Sequence, residues 1–239
     1  MKIHVPLLLA SNFFLSTPLA FADTAIETET AQIGKQGEAA FSQSYEYGHS
    51  KDGSSGGTLT QLEYAITDRS EILIEPFFYL WDHPKGESKL HGYGDLEITP
   101  SYMVILEDGW VPAVLIATKV KVPTGTQKVG GSGEYDYYPY LIFGQHGAGW
   151  TFNANLGVNF AGREEGDGFD HQLVWDLEAE REIAPKWTTF WEAFSGEDGI
   201  KTVSTSLEYQ WLKNFNSFGV LSYNEDHETI VRVGLNIQF

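Results

Sequence analysis

From residue 38 onward the chain alternates apolar and polar side chains almost without a break, and this limits its possible folds more than any other feature. Trp150, Phe152, Ala154, Leu156, Val158 and Phe160 alternate with Thr151, Asn153, Asn155, Gly157 and Asn159. A period of two sends successive side chains to opposite faces of a strand. Leu96–Val104, Val203–Trp211 and Thr229–Phe239 read the same way. Such runs predict strands at 38–49, 58–66, 71–81, 94–105, 110–122, 135–144, 150–161, 169–181, 187–195, 202–211, 217–223 and 228–239. They are long for soluble strands and close to the roughly 9–11 residues that cross a bilayer at a tilt.

The connections alternate too. Thr67–Ser70, Leu106–Gly109, Gln145–Gly149, Glu182–Lys186 and Leu212–Asn216 are tight. Ser50–Gly57, Asp82–Tyr93, Pro123–Glu134 and Gly162–Gly168 are longer and richer in Gly and charge. Short turns at one end and longer loops at the other describe an all-β, transmembrane, antiparallel up-and-down β-barrel of about 12 strands. A soluble sandwich would also alternate, but three features favour lipid. Tyr102, Trp110, Phe143, Trp150, Trp187, Tyr209, Trp211 and Phe239 gather at the tight-turn end, as an interfacial girdle does. Carboxylates occur deep within strands. The chain also stops on Phe239 in register with Val233, Leu235 and Ile237, an ending that resembles the assembly signal read by the barrel-assembly machinery.

Lys2, an apolar core at Leu7–Leu15 and the triplet Ala20-Phe21-Ala22 read as a secretory signal with cleavage after Ala22. The expected organisation is a signal peptide at 1–22, a short periplasmic lead-in at 23–36 and an outer-membrane barrel at 37–239, with outer-membrane lipid as its surroundings. Beyond Ala22 no stretch approaches the roughly 18 apolar residues of a membrane helix. A formal charge of -18 argues against a nucleic-acid partner, and the absence of Cys excludes thiolate metal sites and cysteine nucleophiles.

Parity assigns Glu75, Asp95, Glu97, Asp136, Asp176, Glu178, Glu192 and Glu208 to the lumen, with only Lys119, Lys121 and Arg232 as basic members among the residues singled out. Phe77, Tyr79 and Trp81 near the outer mouth, and Tyr138 and Tyr140 deeper down, share that parity. The plain reading is a braced, solvated interior; the sharper one is a passage whose field favours cations or neutral solutes. Twelve strands fall between eight-stranded barrels, filled by side chains, and water-filled sixteen-stranded porins, so a narrow or partly plugged bore is expected.

No catalytic residues, cofactor or metal are expected. A lipid hydrolase would need Ser and His together on the lipid-facing rim. His171 and Ser195 are the available pair, and neither sits in a recognisable motif. His83 and His91, with Asp82, Glu87 and Asp95, lack metal-ligand spacing.

Four stretches, Leu62-Glu63-Tyr64-Ala65-Ile66-Thr67-Asp68-Arg69, Gly92-Tyr93-Gly94-Asp95-Leu96, Lys121-Val122-Pro123-Thr124-Gly125 and Asn155-Leu156-Gly157, resemble an outer-membrane transporter family named for the meta-pathway of phenol degradation. The resemblance implies an outer-membrane barrel that passes aromatic compounds, without catalytic residues. The expected function is a non-catalytic channel for small neutral or hydrophobic, aromatic solutes. The alternatives are a closed structural barrel and, remotely, a lipid-modifying enzyme.

Overall fold

The computed structural model describes residues 28–76, 79–126, 133–162, 168–195, 199 and 201–239. The expected signal peptide and Phe77 lie outside them. The described residues form fourteen strand segments and no helix: β1 (Ala39–Ser50), β2 (Gly53–Thr67), β3 (Ser70–Glu75), β4 (Tyr79–Pro84), β5 (Leu90–Tyr93), β6 (Leu96–Ile105), β7 (Ala113–Val122), β8 (Asp136–Gly147), β9 (Trp150–Gly162), β10 (Phe169–Ala184), β11 (Trp187–Ser195), β12 (Lys201–Leu212), β13 (Phe215–Asn224) and β14 (Thr229–Gln238). Segments β3 and β4 are the two halves of one stave beside β2, and β5 and β6 are the halves of the next. The result is a closed antiparallel barrel of twelve staves. Strand β1 pairs with both β2 and β14, and Ala39 and Phe239 exchange backbone hydrogen bonds of 3.3 and 2.8 Å at the seam. Closure gives ladder partners to backbone groups that lipid could not satisfy.

Two expectations about strand ends change. Ser50 pairs with Gly53, so the long loop expected at Ser50–Gly57 is a tight hairpin and β2 reaches the outer rim. The strand expected over 71–81 breaks after Glu75, at Pro76, which has no N–H to offer a ladder. The register slips by one residue across the break, and a one-residue slip exchanges the two faces. Glu75 lies opposite Glu97 on the inner face, whereas Tyr79 lies opposite Thr58 and Trp81 opposite Gly56 on the outer one. The assignment of Tyr79 and Trp81 to the lumen is therefore overturned.

The outward face carries a band of exposed apolar side chains that includes Leu62, Ile116, Leu141, Leu156, Leu173, Leu177, Leu221 and Val233. Aromatics close the band at the tight-turn end, where Trp187 and Trp211 each stand 4.7 Å, centroid to centroid, from Tyr209. A second belt, at the opposite end, contains Tyr47, Tyr79, Trp81, Tyr93, Tyr135, Tyr137 and Phe169. Tyr79 and Trp81 belong to this belt, and the Lys89 ammonium lies 3.8 Å above the Trp81 ring. Large exposed apolar surface bounded by two aromatic girdles is what a barrel wall shows to a bilayer.

Candidate functional site

Cross-strand register fixes the inner wall. Asp136, Tyr138, Tyr140 and Ile142 on β8, Asn153 and Asn155 on β9, Val174, Asp176, Glu178 and Glu180 on β10, and Phe190, Glu192 and Phe194 on β11 point inward and are buried. The expected luminal positions Glu97, Lys119, Lys121, Glu208 and Arg232 are on the same inner surface, while Asp95 is buried just before β6. Each basic group is matched by a carboxylate. Lys119 Nζ lies 3.4 Å from Glu97, Lys121 pairs with Asp136, and Arg232 donates from Nη2 and Nε to Glu46 Oε2 at 2.7 and 3.0 Å. Neutral donors serve other acids: Gln61 donates to Glu75 at 3.1 Å, Ser101 to Glu71 at 3.2 Å, Asn153 to Glu178 at 2.9 Å and Ser204 to Glu192 at 2.8 Å. Among the described residues the wall thus carries more carboxyl groups than Lys119, Lys121 and Arg232 can pair with.

The half of the bore nearer the tight turns holds a further piece of chain. The polar stretch expected as a periplasmic lead-in runs, from Gln36 back to Thr28, up the inside of the barrel. Gln36 donates its backbone N–H to Asp68 in the β2–β3 turn at 2.8 Å, which places that point at the tight-turn end. Gln32 Nε2 meets His146 Nε2 at 3.4 Å, and Ala31 donates its N–H to Asn153 Oδ1 at 3.2 Å. The Asn155 carboxamide, oriented by its neighbours, accepts from Glu29 N at 2.6 Å and donates to Glu29 O at 3.0 Å. The Glu29 carboxyl accepts from the Tyr140 hydroxyl. Thr28 gives both its N–H, at 2.6 Å, and its hydroxyl, at 2.7 Å, to Glu192 Oε1. The segment is not a strand, so its backbone polar groups are met by wall side chains.

An apolar patch completes this seat. Ala31 is buried with Met103, Ala113, Leu115, Ala117, Tyr138, Tyr140, Ile142 and Val174, and Ile33 packs against them. Glycine makes room at two points. A Cβ on Gly144 would come within 2.5 Å of the Ala31 Cβ, and one on Gly157 within 2.5 Å of the Tyr138 ring. At the base, the Glu107 carboxylate accepts the His146 backbone N–H at 3.0 Å, and its Oε2 lies 2.5 Å from the ring Nδ1, steadying the ring that faces Gln32. Partial burial pushes the Glu107 carboxyl up, but these His146 contacts outweigh it and hold it below its ordinary 4.5.

At the opposite end two of the quoted motifs interlock. Asp95 accepts the Gly125 N–H at 2.7 Å, Thr124 Oγ1 accepts the Leu96 N–H at 2.9 Å, and Thr126 donates its N–H to Tyr93 O at 2.8 Å. Asp95 is thus a brace for the loop after β7. A Cβ on Gly125 would come within 2.7 Å of Gly94 C and 2.8 Å of Tyr93 O, so the clasp requires glycine there.

The rejected candidates are not brought together. Ser195 pairs with Trp175, four residues along β10 from His171, or ~13 Å at the strand rise. His83 and His91 lie on β4 and β5, opposite Ser54 and Trp81, and no group of three metal-ligating side chains occurs among the described residues. Sequence reading missed the inner apolar patch. Its signal was present in Ala113–Ala117, which is apolar on both faces, as expected of a wall that packs on protein inside as well as lipid outside.

A closed antiparallel wall, a lipid-facing band between two aromatic belts and a charged, narrow interior define a β-barrel of the outer-membrane type. The chain belongs to the family described as "Putative MetA-pathway of phenol degradation", which it matches over residues 22–235. Its fold is similar to the COG4313 outer membrane channel from Pseudomonas putida F1, with a TM-score of 0.69 at 12% identity, covering 90% of this chain and 100% of that one. The NanC porin gives 0.61 at 12% identity, covering 82% and 98%. The KdgM porin in complex with disordered oligogalacturonate gives 0.58 at 16%, covering 83% and 99%. Comparison with curated proteins yields no match.

Proposed function

We propose that the protein is a non-catalytic outer-membrane channel for small uncharged solutes, aromatic ones among them, and that cations are the ions it prefers. The observation that carries this reading is the charge of the inner wall. Lys119, Lys121 and Arg232 are matched by Glu97, Asp136 and Glu46, while Asp176, Glu178, Glu180, Glu192 and Glu208 add further carboxyl groups, and no matching bases, to the same narrow surface. A low-dielectric wall concentrates that field along the path. An organic anion would be repelled, including a polyanion such as the oligogalacturonate bound to the KdgM porin. The family description motivates phenol-like cargo, and the stacked Tyr138 and Tyr140 rings, 4.5 Å apart, offer apolar faces beside the acids. Tyr79 and Trp81 face outward and have no part in the path.

A second reading, a closed structural barrel, is favoured by the segment Thr28–Ile33 lying across the bore. Reversal potentials across a KCl gradient, together with phenol and benzoate uptake at limiting concentrations, separate the two. The channel reading expects a cation-selective current and phenol entry that depends on the protein. Asp176→Asn with Glu178→Gln should reduce selectivity and admit benzoate. Anion preference would overturn the charge argument, and uptake of phenol unchanged by loss of the protein would overturn the cargo.

A further inference from the structure

We propose that the inner wall of β8, β9 and β11 is a binding site for an extended peptide, filled by the chain's own Thr28–Ala31. Withdrawal of that segment toward the periplasm opens the bore. This rests on the channel reading and adds its gate.

The site holds the backbone of the segment as well as its side chains. Glu192 Oε1 takes the Thr28 N–H, Asn155 takes the N–H and returns a hydrogen bond to the C=O of Glu29, and Asn153 takes the Ala31 N–H. Asn155 and Asn153, two residues apart on β9, meet Glu29 and Ala31 as alternate residues of a neighbouring strand would, while Glu192, cross-strand from Asn153 through Glu178, holds Thr28 from β11. Only small side chains suit the lower position, because Ala31 is 4% exposed and lies against Gly144.

The same geometry makes the segment the weakest-held element of the barrel. Staves are fixed by backbone ladders on both sides, while Thr28–Ile33 is held by a few hydrogen bonds to side chains and the burial of Thr28, Ala31 and part of Ile33. It also brings a carboxylate, Glu29, into a wall that already carries Asp176, Glu178 and Glu192. Asp176 Oδ1 and Glu178 Oε2, cross-strand from Asn155 and Asn153, are buried and have no hydrogen-bond partner. Seating thus keeps these acids from water, and unseating would return them to it. Because Gln36 and Gly37 are tied to Asp68 and Ala65 at the tight-turn rim, the exit is on that side.

The chain has no cysteine, so Ala31→Cys supplies a single thiol. In the folded barrel a bulky maleimide should react slowly with it. Glu192→Leu, which removes the acceptor of both Thr28 bonds, should speed that reaction about tenfold. An unchanged rate overturns the seat. In planar bilayers Ala31→Trp, too large for the space against Gly144, should raise single-channel conductance several-fold. A soluble peptide of sequence Thr28–Gln36 should lower it again, and should do so poorly when Asn155→Leu is added. If Ala31→Trp conducts like the parent, or the peptide blocks equally with and without Asn155, the gate falls while the channel stands. If labelling behaves as expected but neither protein passes ions, the channel reading falls and the gate with it.

Discussion

Gly125 shows how one residue can hold a rim together. Its N–H is given to Asp95, and its α-carbon sits so near the Gly94–Asp95 backbone that no side chain fits without moving main chain. Gly125→Ala should therefore release Thr124 and Thr126 from Leu96 and Tyr93, and destabilise the barrel by about 1–3 kcal/mol, as overpacking does. A lower denaturation midpoint, with earlier proteolysis between Pro123 and Glu134, would show it. A midpoint equal to the parent's would mean that the loop tolerates the shift. The residues of this clasp stood out in the sequence as two separate motifs. That they lock onto each other did not, because contact between residues thirty apart leaves no local pattern.

Among elements, the alternation made nearly all the staves legible, since a wall between lipid and a polar interior imposes a period of two. It failed where the period carries no information. Phe77, Phe78, Tyr79, Leu80 and Trp81 are all large and apolar, so parity could not show which way each points. The strand break at Pro76 then reversed the assignment of Tyr79 and Trp81. The inner patch of Leu115 and Ile142 escaped for a related reason: a run such as Ala113–Ala117, apolar at every position, carries no period. Thr28–Gln36 has no period at all, and its place in the bore depends on side chains more than a hundred residues away. At the seam, Phe239 exchanges backbone bonds with Ala39 and completes the outward row of Val233, Leu235 and Ile237. Deleting it should lower the amount of heat-modifiable barrel recovered in outer membranes. Undiminished recovery would deny the chain end any part in assembly.

For the whole molecule, the two belts act as a ruler. Trp150 and Phe160 mark opposite edges of the lipid-facing band on β9, ten residues apart on one face. At the strand rise and a tilt of ~40°, that separation spans about 25 Å along the membrane normal. The belts can shift little, because each is part of a closed ladder that does not stretch, so the surrounding bilayer must adapt to the barrel. A thick bilayer would have to pinch at the wall or drag Trp150, Trp187 and Trp211 below the headgroups. Refolding from urea should consequently be faster and more complete into vesicles of twelve-carbon than of eighteen-carbon phosphatidylcholine. The hydrophobic thickness written into these rings also makes a thin membrane the energetically favoured host, so that bilayer height helps to hold the protein where it is assembled.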